Sequence, residues 1–274
     1  MTIEKARELH DSGNYEQAIN IYNHLVNETE DSKTKAIFYL EMAWAYYKWG
    51  KYEQAIVCIN AVLQTDSEFK NKEEIYRIKA FSYIALNELE LAEKFLLKSL
   101  EIERSSEKQQ ISIFELGKIY FKNCKYQQSL EVFKEVEGYF YQNKKEYWLT
   151  LLFYKGFAQY YLKDFTDSEK TFEELLENTE DKKRQAGALF GLAFLTFDKK
   201  DYLKTINLCE TVIAYDNEFF DLETVGFMVA TSFHYLGRDD VFTQYALELT
   251  KKYPDGKYTG EIKKLLSVKN KSKN

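Results

Sequence analysis

The 274-residue sequence contains a single proline, three cysteines and three histidines. The cysteines Cys58, Cys124 and Cys209 have no CxxC spacing, so they predict reduced packing residues in a reducing compartment. No apolar run approaches the roughly 20 residues that a membrane-spanning helix needs, and the amino-terminal stretch has no apolar secretory core. We therefore expect a cytoplasmic protein without membrane insertion.

The sequence also lacks the short motifs that carry chemistry. It has no phosphate-binding GxxxxGK, no dinucleotide-binding GxGxxG, no HExxH zinc motif and no GxSxG nucleophile motif. His10, His24 and His234 lie near opposite ends of the chain, which argues against a shared metal site. A formal net charge of −6 argues against nucleic acid as the main partner, because phosphate binding needs concentrated lysine and arginine. We expect no enzymatic activity and no cofactor.

One pattern, in contrast, occurs seven times. In its clearest copy, Ala43 is followed by Tyr46 at +3, Gly50 at +7, Tyr52 at +9 and Ala55 at +12. The copies start at a small residue and are 37 residues apart, except for one step of 39: Ala6, Ala43, Ala80, Gly117, Gly156, Ala193 and Ala230. So regular a period decides the architecture, because each copy forms one structural unit that packs on the next.

The pattern resembles the tetratricopeptide repeat, which has a small residue, Tyr, Gly, Tyr and Ala at these offsets and a proline near the repeat end. The resemblance covers residues 1 to about 256, and Pro254 stands where that family's proline belongs. It implies an all-α fold, a right-handed superhelical α-solenoid of about seven helix-turn-helix repeats that usually binds protein. The period exceeds the family's usual 34 residues, which fits helices that no proline stops.

The copies predict a single solenoid domain over residues 1–268. Its repeats are expected at about 1–32, 33–69, 70–106, 107–143, 144–181, 182–219 and 220–256. A capping helix is expected at 257–268, because the open end of a repeat stack needs a polar cover. A basic disordered tail is expected at 269–274. The two extra residues of the 39-residue step, around 138–146, predict a longer connection between two helices.

Beside the repeated small residue, a stripe of further side chains runs along the first helix of each predicted pair. Positions −3, +1 and +4 from the small residue share one helix face, and in tetratricopeptide-like stacks similar positions line the concave surface. The candidate partner-binding residues at these positions are Trp44, Tyr47, Arg77, Phe81, Phe114, Lys118, Phe121, Phe153, Phe157, Tyr160, Phe190, Phe194, Phe197 and Phe227. Their aromatic character predicts a groove for an apolar or aromatic-rich peptide segment or a partner helix. Arg77 and Lys118 would either orient an acidic ligand residue or remain solvated charges at the groove edge.

Two interpretations of the stripe stay open at this point. The rings either pack on each other and on the second helices, or they leave an aromatic wall open to a ligand. Tetratricopeptide-repeat proteins that bind chaperone tails grip a terminal carboxylate with lysine and asparagine at similar positions. The stripe has no asparagine and only two cations, so it does not favour such a carboxylate clamp. The leading hypothesis is a non-enzymatic adaptor or scaffold. The alternatives are a structural subunit whose inner face is filled by its own segment or by another copy, as in a homo-oligomer, and a sensor of a small apolar ligand or signalling peptide.

Overall fold

The computed structural model describes residues 2–104 and 106–272, and these residues form fifteen α-helices and no β-strand. The helices are α1 (Ile3–Asp11), α2 (Tyr15–Glu28), α3 (Ser32–Lys48), α4 (Tyr52–Thr65), α5 (Lys72–Ala85), α6 (Leu89–Ile102), α7 (Ser106–Lys122), α8 (Tyr126–Asn143), α9 (Lys145–Tyr161), α10 (Phe165–Glu177), α11 (Lys182–Asp198), α12 (Tyr202–Tyr215), α13 (Leu222–Tyr235), α14 (Asp239–Lys252) and α15 (Thr259–Ser272). Odd- and even-numbered helices from α1 to α14 alternate as the first and second members of seven pairs. The predicted all-α helical repeat fold is confirmed.

Aspartate side chains begin several of the first helices. Asp31 precedes α3, and its carboxylate accepts a hydrogen bond from the backbone N–H of Thr34 at 2.9 Å. Asp181 caps α11 in the same way, and Asp221 caps α13. A cap of this kind satisfies one of the backbone donors that the first turn leaves unpaired.

Small residues lie where the two helices of a pair cross. Ala43 is fully buried at such a crossing, and two of the other copies carry glycine instead. A Cβ atom on Gly117 would lie 2.4 Å from the ring of Phe133, and one on Gly156 would lie 2.7 Å from the ring of Phe172. Since those distances are far below contact, glycine is what lets a phenylalanine enter the crossing.

The turns inside the seven pairs close with the same two backbone hydrogen bonds. In the second pair, the N–H of Gly50 donates to the carbonyl of Tyr47 at 3.0 Å, and the N–H of Lys51 donates to that of Tyr46 at 2.9 Å. These bonds define a Schellman motif, which requires a left-handed residue after the helix. Gly50 has φ +79. The equivalent residues of the other turns also have positive φ: Gly13, Asn87, Cys124, Lys163, Lys200 and Gly237.

Replacing Lys200 by glycine is expected to stabilise the protein. Lys200 has φ 60, a conformation that costs a residue with a Cβ roughly 1–2 kcal/mol. Part of that gain is offset, because glycine has more freedom in the unfolded chain. The free energy of unfolding from urea titration should therefore rise by about 0.5–1 kcal/mol. Gly50→Ala is the matched control and should lower it, and a destabilised Lys200→Gly would contradict the assigned turn.

The helices form two compact units, Met1–Val136 and Glu137–Asn274, where the sequence predicts one domain. The boundary lies inside α8, which has 18 residues, whereas the other second helices have 13 or 14. The expected longer connection is not observed, since Lys144 alone separates α8 from α9. The fully buried ring of Phe140 stacks on Tyr147 at 5.1 Å between centroids, which holds the added helical turn against the core.

The last helix also differs in length from the expectation. The structure gives α15 as Thr259–Ser272, so it extends through most of the predicted tail 269–274. Residues 273–274 lie outside the described residues. Ile262 is the fully buried residue of α15, and it packs in a cluster with Phe227, Ala230, Phe242 and Ala246. This helix therefore covers the last helix pair, as a capping helix is expected to do.

Candidate functional site

The first helices of successive pairs touch one another: α3 touches α5 in one unit, and α11 touches both α9 and α13 in the other. Each unit therefore has a layer of first helices. We use the term first-helix face for positions −3, +1 and +4 of the first helices α3, α5, α7, α9, α11 and α13, which contain all fourteen predicted partner-binding residues.

The predicted residues lie at two depths. Five are buried: Arg77, Phe114, Phe157, Phe190 and Phe227. Nine are half-buried: Trp44, Tyr47, Phe81, Lys118, Phe121, Phe153, Tyr160, Phe194 and Phe197. Residues at −3 contribute most of the buried group and residues at +4 are all half-buried. The first-helix face thus has a packed base and a row of partly accessible rings above it.

Arg77 is part of a buried ion pair in the unit Met1–Val136. Its Nη1 donates to Oε2 of Glu103 at 2.6 Å, and the two side chains are only 5% and 3% exposed. Its Nη2 lies 3.7 Å from Oε1 of Glu74, which also accepts a hydrogen bond from Nε1 of Trp44 at 2.9 Å. The guanidinium charge is therefore balanced inside the unit and is not presented to a ligand.

Lys118 also has its charge balanced by neighbouring side chains of the same helix. Its Nζ donates to both carboxylate oxygens of Glu115 at 2.9 Å. The same ammonium lies 5.3 Å from the ring centroid of Phe114, within the range of a cation–π contact. Both predicted cations therefore have an acidic partner within the chain, and neither indicates an acidic residue in the ligand.

The aromatic residues of α3 and α5 form a short run in the first unit. The ring of Tyr47 lies 5.8 Å from that of Trp44, 6.3 Å from that of Phe81 and 5.7 Å from that of Tyr52. All four rings are half-buried. Their edge-to-face and tilted contacts fix the side chains without sealing them from solvent.

The unit Glu137–Asn274 has a larger ring cluster. The buried rings of Phe157 and Phe190 lie 5.9 Å apart. Phe194 stands on both, edge-to-face, at 5.8 Å and 5.0 Å. Phe153 packs edge-to-face on Phe157 at 5.0 Å. Phe153 and Phe194 are thus half-buried rings on a buried aromatic base.

Tyr160 extends this cluster and adds a hydroxyl group to it. Its ring lies 5.4 Å from that of Phe194, and its hydroxyl donates to Oδ2 of Asp198 at 2.7 Å. Burial, followed by this hydrogen bond, raises the pKa of Tyr160 far above its usual value. The side chain is therefore a neutral, oriented ring at physiological pH.

Phe220 belongs to the same cluster although its position lies outside the repeat pattern. It is in the loop between α12 and α13, is 71% exposed, and lies 6.2 Å from Phe153 and 5.9 Å from Phe190 between centroids. The loop reads Asp-Asn-Glu-Phe-Phe over 216–220, and Asp-Ser-Glu-Phe-Lys occurs over 66–70, 150 residues earlier. That internal match is the signal that could have pointed to Phe220.

A pocket of about 390 Å³ lies between α9, α11 and the 216–221 loop. Its apolar lining consists of Leu149, Phe153, Leu175, Gly187, Phe219 and Phe220, and its charged lining of Lys183, Arg184, Asp216 and Glu218. A Cβ atom on Gly187 would lie 3.2 Å from the ring of Phe153. Glycine at this position therefore lets the ring approach the backbone of α11 closely.

Comparison with known proteins identifies part of the repeat array. The sequence profile of the Tetratricopeptide repeat matches residues 36–69 and 74–106, which are the second and third of the seven copies. These two segments are therefore identified as tetratricopeptide repeats. No curated protein sequence matches the chain.

Solved structures with tetratricopeptide or similar folds cover nearly the whole chain. The apo form of RapI superposes with a TM-score of 0.74 at 12% identity over 97% of this chain and 80% of RapI. The C-terminal part of a TPR repeat-containing protein from Cytophaga hutchinsonii gives 0.64 at 13% identity, over 95% and 99%. A tetratricopeptide repeat protein from Parabacteroides merdae gives 0.64 at 16% identity, over 97% and 96%. At these identities the likeness concerns the fold.

Tetratricopeptide-repeat proteins are generally scaffolds for protein–protein interaction. Within the described residues, no group of three or more His, Cys, Asp or Glu side chains could hold a metal ion. No helix in the same part of the chain is both long and apolar enough to cross a bilayer. Burial raises the pKa of the Cys58 thiol to about 11 and that of Cys209 to about 12, so both remain protonated packing residues.

Proposed function

We propose that the chain is a non-enzymatic interaction module that binds an apolar or aromatic-rich peptide segment on the first-helix face of the unit Glu137–Asn274. One observation carries the proposal: partly accessible rings of Phe153, Tyr160 and Phe194, joined by the exposed ring of Phe220, form one cluster on a buried aromatic base. A contiguous accessible aromatic surface of this kind is typical of a binding site, whereas single exposed rings are common on any protein.

The contacts among the rings supply the physical basis for affinity. Phe194 is fixed by Phe157, Phe190 and Tyr160, so its rotamer is set before a ligand arrives. A side chain that is already ordered loses little entropy on binding, and most of the ordering cost falls on the peptide. The ligand then gains by burying its own apolar side chains against the rings.

The polar groups beside the rings favour an apolar ligand over a charged one. The hydroxyl of Tyr160 is already bound to Asp198, and the pKa of that tyrosine is raised, so its ring carries no charge. Both cations predicted on the first-helix face, Arg77 and Lys118, belong to the other unit. The seven predicted residues of the unit Glu137–Asn274 are all aromatic and therefore offer ring surface.

Peptide display on the purified chain tests the proposal. Twelve-residue peptides enriched on the wild type would be synthesised with a fluorophore and titrated by fluorescence anisotropy. Phe194→Ala with Phe197→Ala should weaken their binding by about tenfold or more, because two partly accessible rings of the first-helix face are lost. Tyr141→Ala with Leu203→Ala is the matched control, since those side chains are 64% and 65% exposed and lie on other helices.

The control should bind like the wild type, and circular dichroism should show the same helical content in all three proteins. Failure to enrich any peptide on the wild type would contradict the proposal. Equal binding by the wild type and the Phe194→Ala, Phe197→Ala variant would contradict the assignment of the face.

A further inference from the structure

We infer that the pocket beside Phe220 is the anchor site of this face, and that it takes one aromatic side chain of a peptide in which that residue is flanked by an acidic and a basic residue. The inference rests on the proposed function and specifies its ligand. It adds a site that the repeat pattern does not contain, because Phe219, Phe220 and Glu218 come from the loop between α12 and α13.

An equivalent pocket in the other unit shows which features are general to this loop. A pocket of about 420 Å³ is lined by Lys33, Ile37, Asp66, Glu68, Phe69 and Lys70, each 150 residues before a lining residue of the first pocket. In both loops the aspartate side chain accepts a hydrogen bond from the backbone N–H two residues on, at 3.1 Å in one and 3.2 Å in the other. The loop conformation and its charges are therefore shared.

The two pockets differ in their apolar walls. Lys70 is replaced by Phe220 and Ile37 by Gly187, and Phe153 supplies a further ring. The volumes are similar, so the difference lies in chemistry: one phenylalanine lines the earlier pocket and three line the later one. Phe220 lies 4.5 Å from Phe219 in a tilted contact and 6.2 Å from Phe153 in an edge-to-face contact. Walls of this kind are suited to a further ring, which prefers the same spacings.

The exposure of Phe220 supports an occupant of this kind. A phenylalanine that is 71% exposed on a loop, where the equivalent residue is lysine, gains nothing for the fold from that exposure. A ligand ring seated between Phe220 and Phe153 would cover it. The neighbouring Phe219 is buried and holds the loop in place, at 5.0 Å from Phe190 between centroids.

The charges of the lining define the flanking residues of the ligand. Arg184 donates to Oε2 of Glu146, and Asp216 holds the backbone of its own loop. Lys183 and Glu218, in contrast, have no ion-pair partner within the ranges 2–104 and 106–272 that the structure covers. One unpaired charge of each sign is complementary to a peptide with an acidic residue on one side of the ring and a basic residue on the other.

Fluorine NMR of a defined probe tests this inference. The probe is an acetylated eleven-residue peptide with glutamate, 5-fluorotryptophan and lysine at its centre in a glycine–serine background. Its fluorine resonance should shift and saturate on titration with the whole chain. Phe220→Lys, which installs the residue of the earlier loop at an exposed position, should weaken binding by about tenfold. Lys70→Ala in the earlier loop is the matched control and should leave the titration unchanged.

A second pair of measurements tests the flanking charges. Lys183→Gln with Glu218→Gln should weaken binding of the probe by about threefold at low salt. A second probe, with serine in place of its glutamate and lysine, should bind this variant and the wild type with equal affinity. Unchanged binding of the probe to Phe220→Lys would overturn the inference, as would equal weakening by Lys70→Ala. If display-selected peptides still depend on Phe194 and Phe197 in that case, the proposed function stands and the anchor pocket alone is wrong.

Discussion

Replacing Arg77 by methionine is expected to lower the free energy of unfolding by about 3–5 kcal/mol, measured by urea or guanidinium titration. The reason is that Glu103 would keep its carboxylate in a buried position without the guanidinium that now lies 2.6 Å from it. The two side chains are 5% and 3% exposed, so water does not replace the lost partner.

Two further variants separate the ion pair from the loss of side-chain packing. Arg77→Met combined with Glu103→Leu removes both charges and should recover most of the lost stability, because two apolar side chains can replace a buried pair. Lys170→Met disrupts an exposed pair with Asp167, whose members are 70% and 54% exposed, and should change stability by less than about 0.5 kcal/mol. If Arg77→Met behaved like Lys170→Met, the buried pair would not be a stabilising contact.

Phe172→Ala is expected to cost about 3–5 kcal/mol of unfolding free energy, the usual range for deleting a fully buried phenylalanine. The ring of Phe172 is fully buried against Phe157 and lies directly against two glycine backbones. Cβ atoms on Gly156 and Gly191 would lie 2.7 and 2.3 Å from it. The two glycines have no side chains of their own that could fill the cavity, so thermal or urea unfolding should show the full loss.

The reverse change tests the same contact. Gly156→Ala alone should destabilise the protein by about 1–3 kcal/mol, because a methyl group enters space that the Phe172 ring occupies. Combined with Phe172→Leu, the alanine should cost less than it does in the wild type, and the double-mutant cycle gives the coupling between the two positions. Additive effects would show that the ring and the glycine do not contact each other.

Much of the fold follows from the sequence because the repeat constrains many positions at once. The spacing from Ala43 to Gly50 and Ala55 places a small residue and a turn in each copy, and a second small residue in six of the seven copies. The structure has the first at a buried crossing and the second in a left-handed turn. Lys163 and Lys200 occupy the same turn position without being glycine, so the surrounding hydrogen bonds determine the conformation there.

The depth of the site residues could not be predicted from the same pattern. Helical periodicity gives the direction in which a side chain points but not how far the neighbouring helix covers it. Phe190 and Phe197 lie on one face of α11, yet the first is buried and the second half-buried. The partners of Arg77 posed a related problem, because Glu103 lies 26 residues away in a connecting segment.

Loops were the least predictable part of the candidate site. Phe220 is not at one of the positions that define the repeat pattern. The three-dimensional arrangement brings its ring to Phe153 and Phe190. The two extra residues of the longest repeat were expected in a connection. They extend α8 instead, because the segment around Phe140 contains no proline and its apolar side chains continue the buried stripe of the helix.

The length of α8 has a practical consequence for dividing the chain. Boundaries between compact units usually fall in flexible linkers. Proteases cut such linkers, and a shortened fragment can begin or end within one. Here the boundary at Val136 falls in the middle of a hydrogen-bonded helix whose buried residues Phe133, Val136 and Phe140 lie on both sides of it. A fragment cut there would expose half of a hydrophobic stripe, so shorter versions of either unit should retain α8 intact, through Asn143.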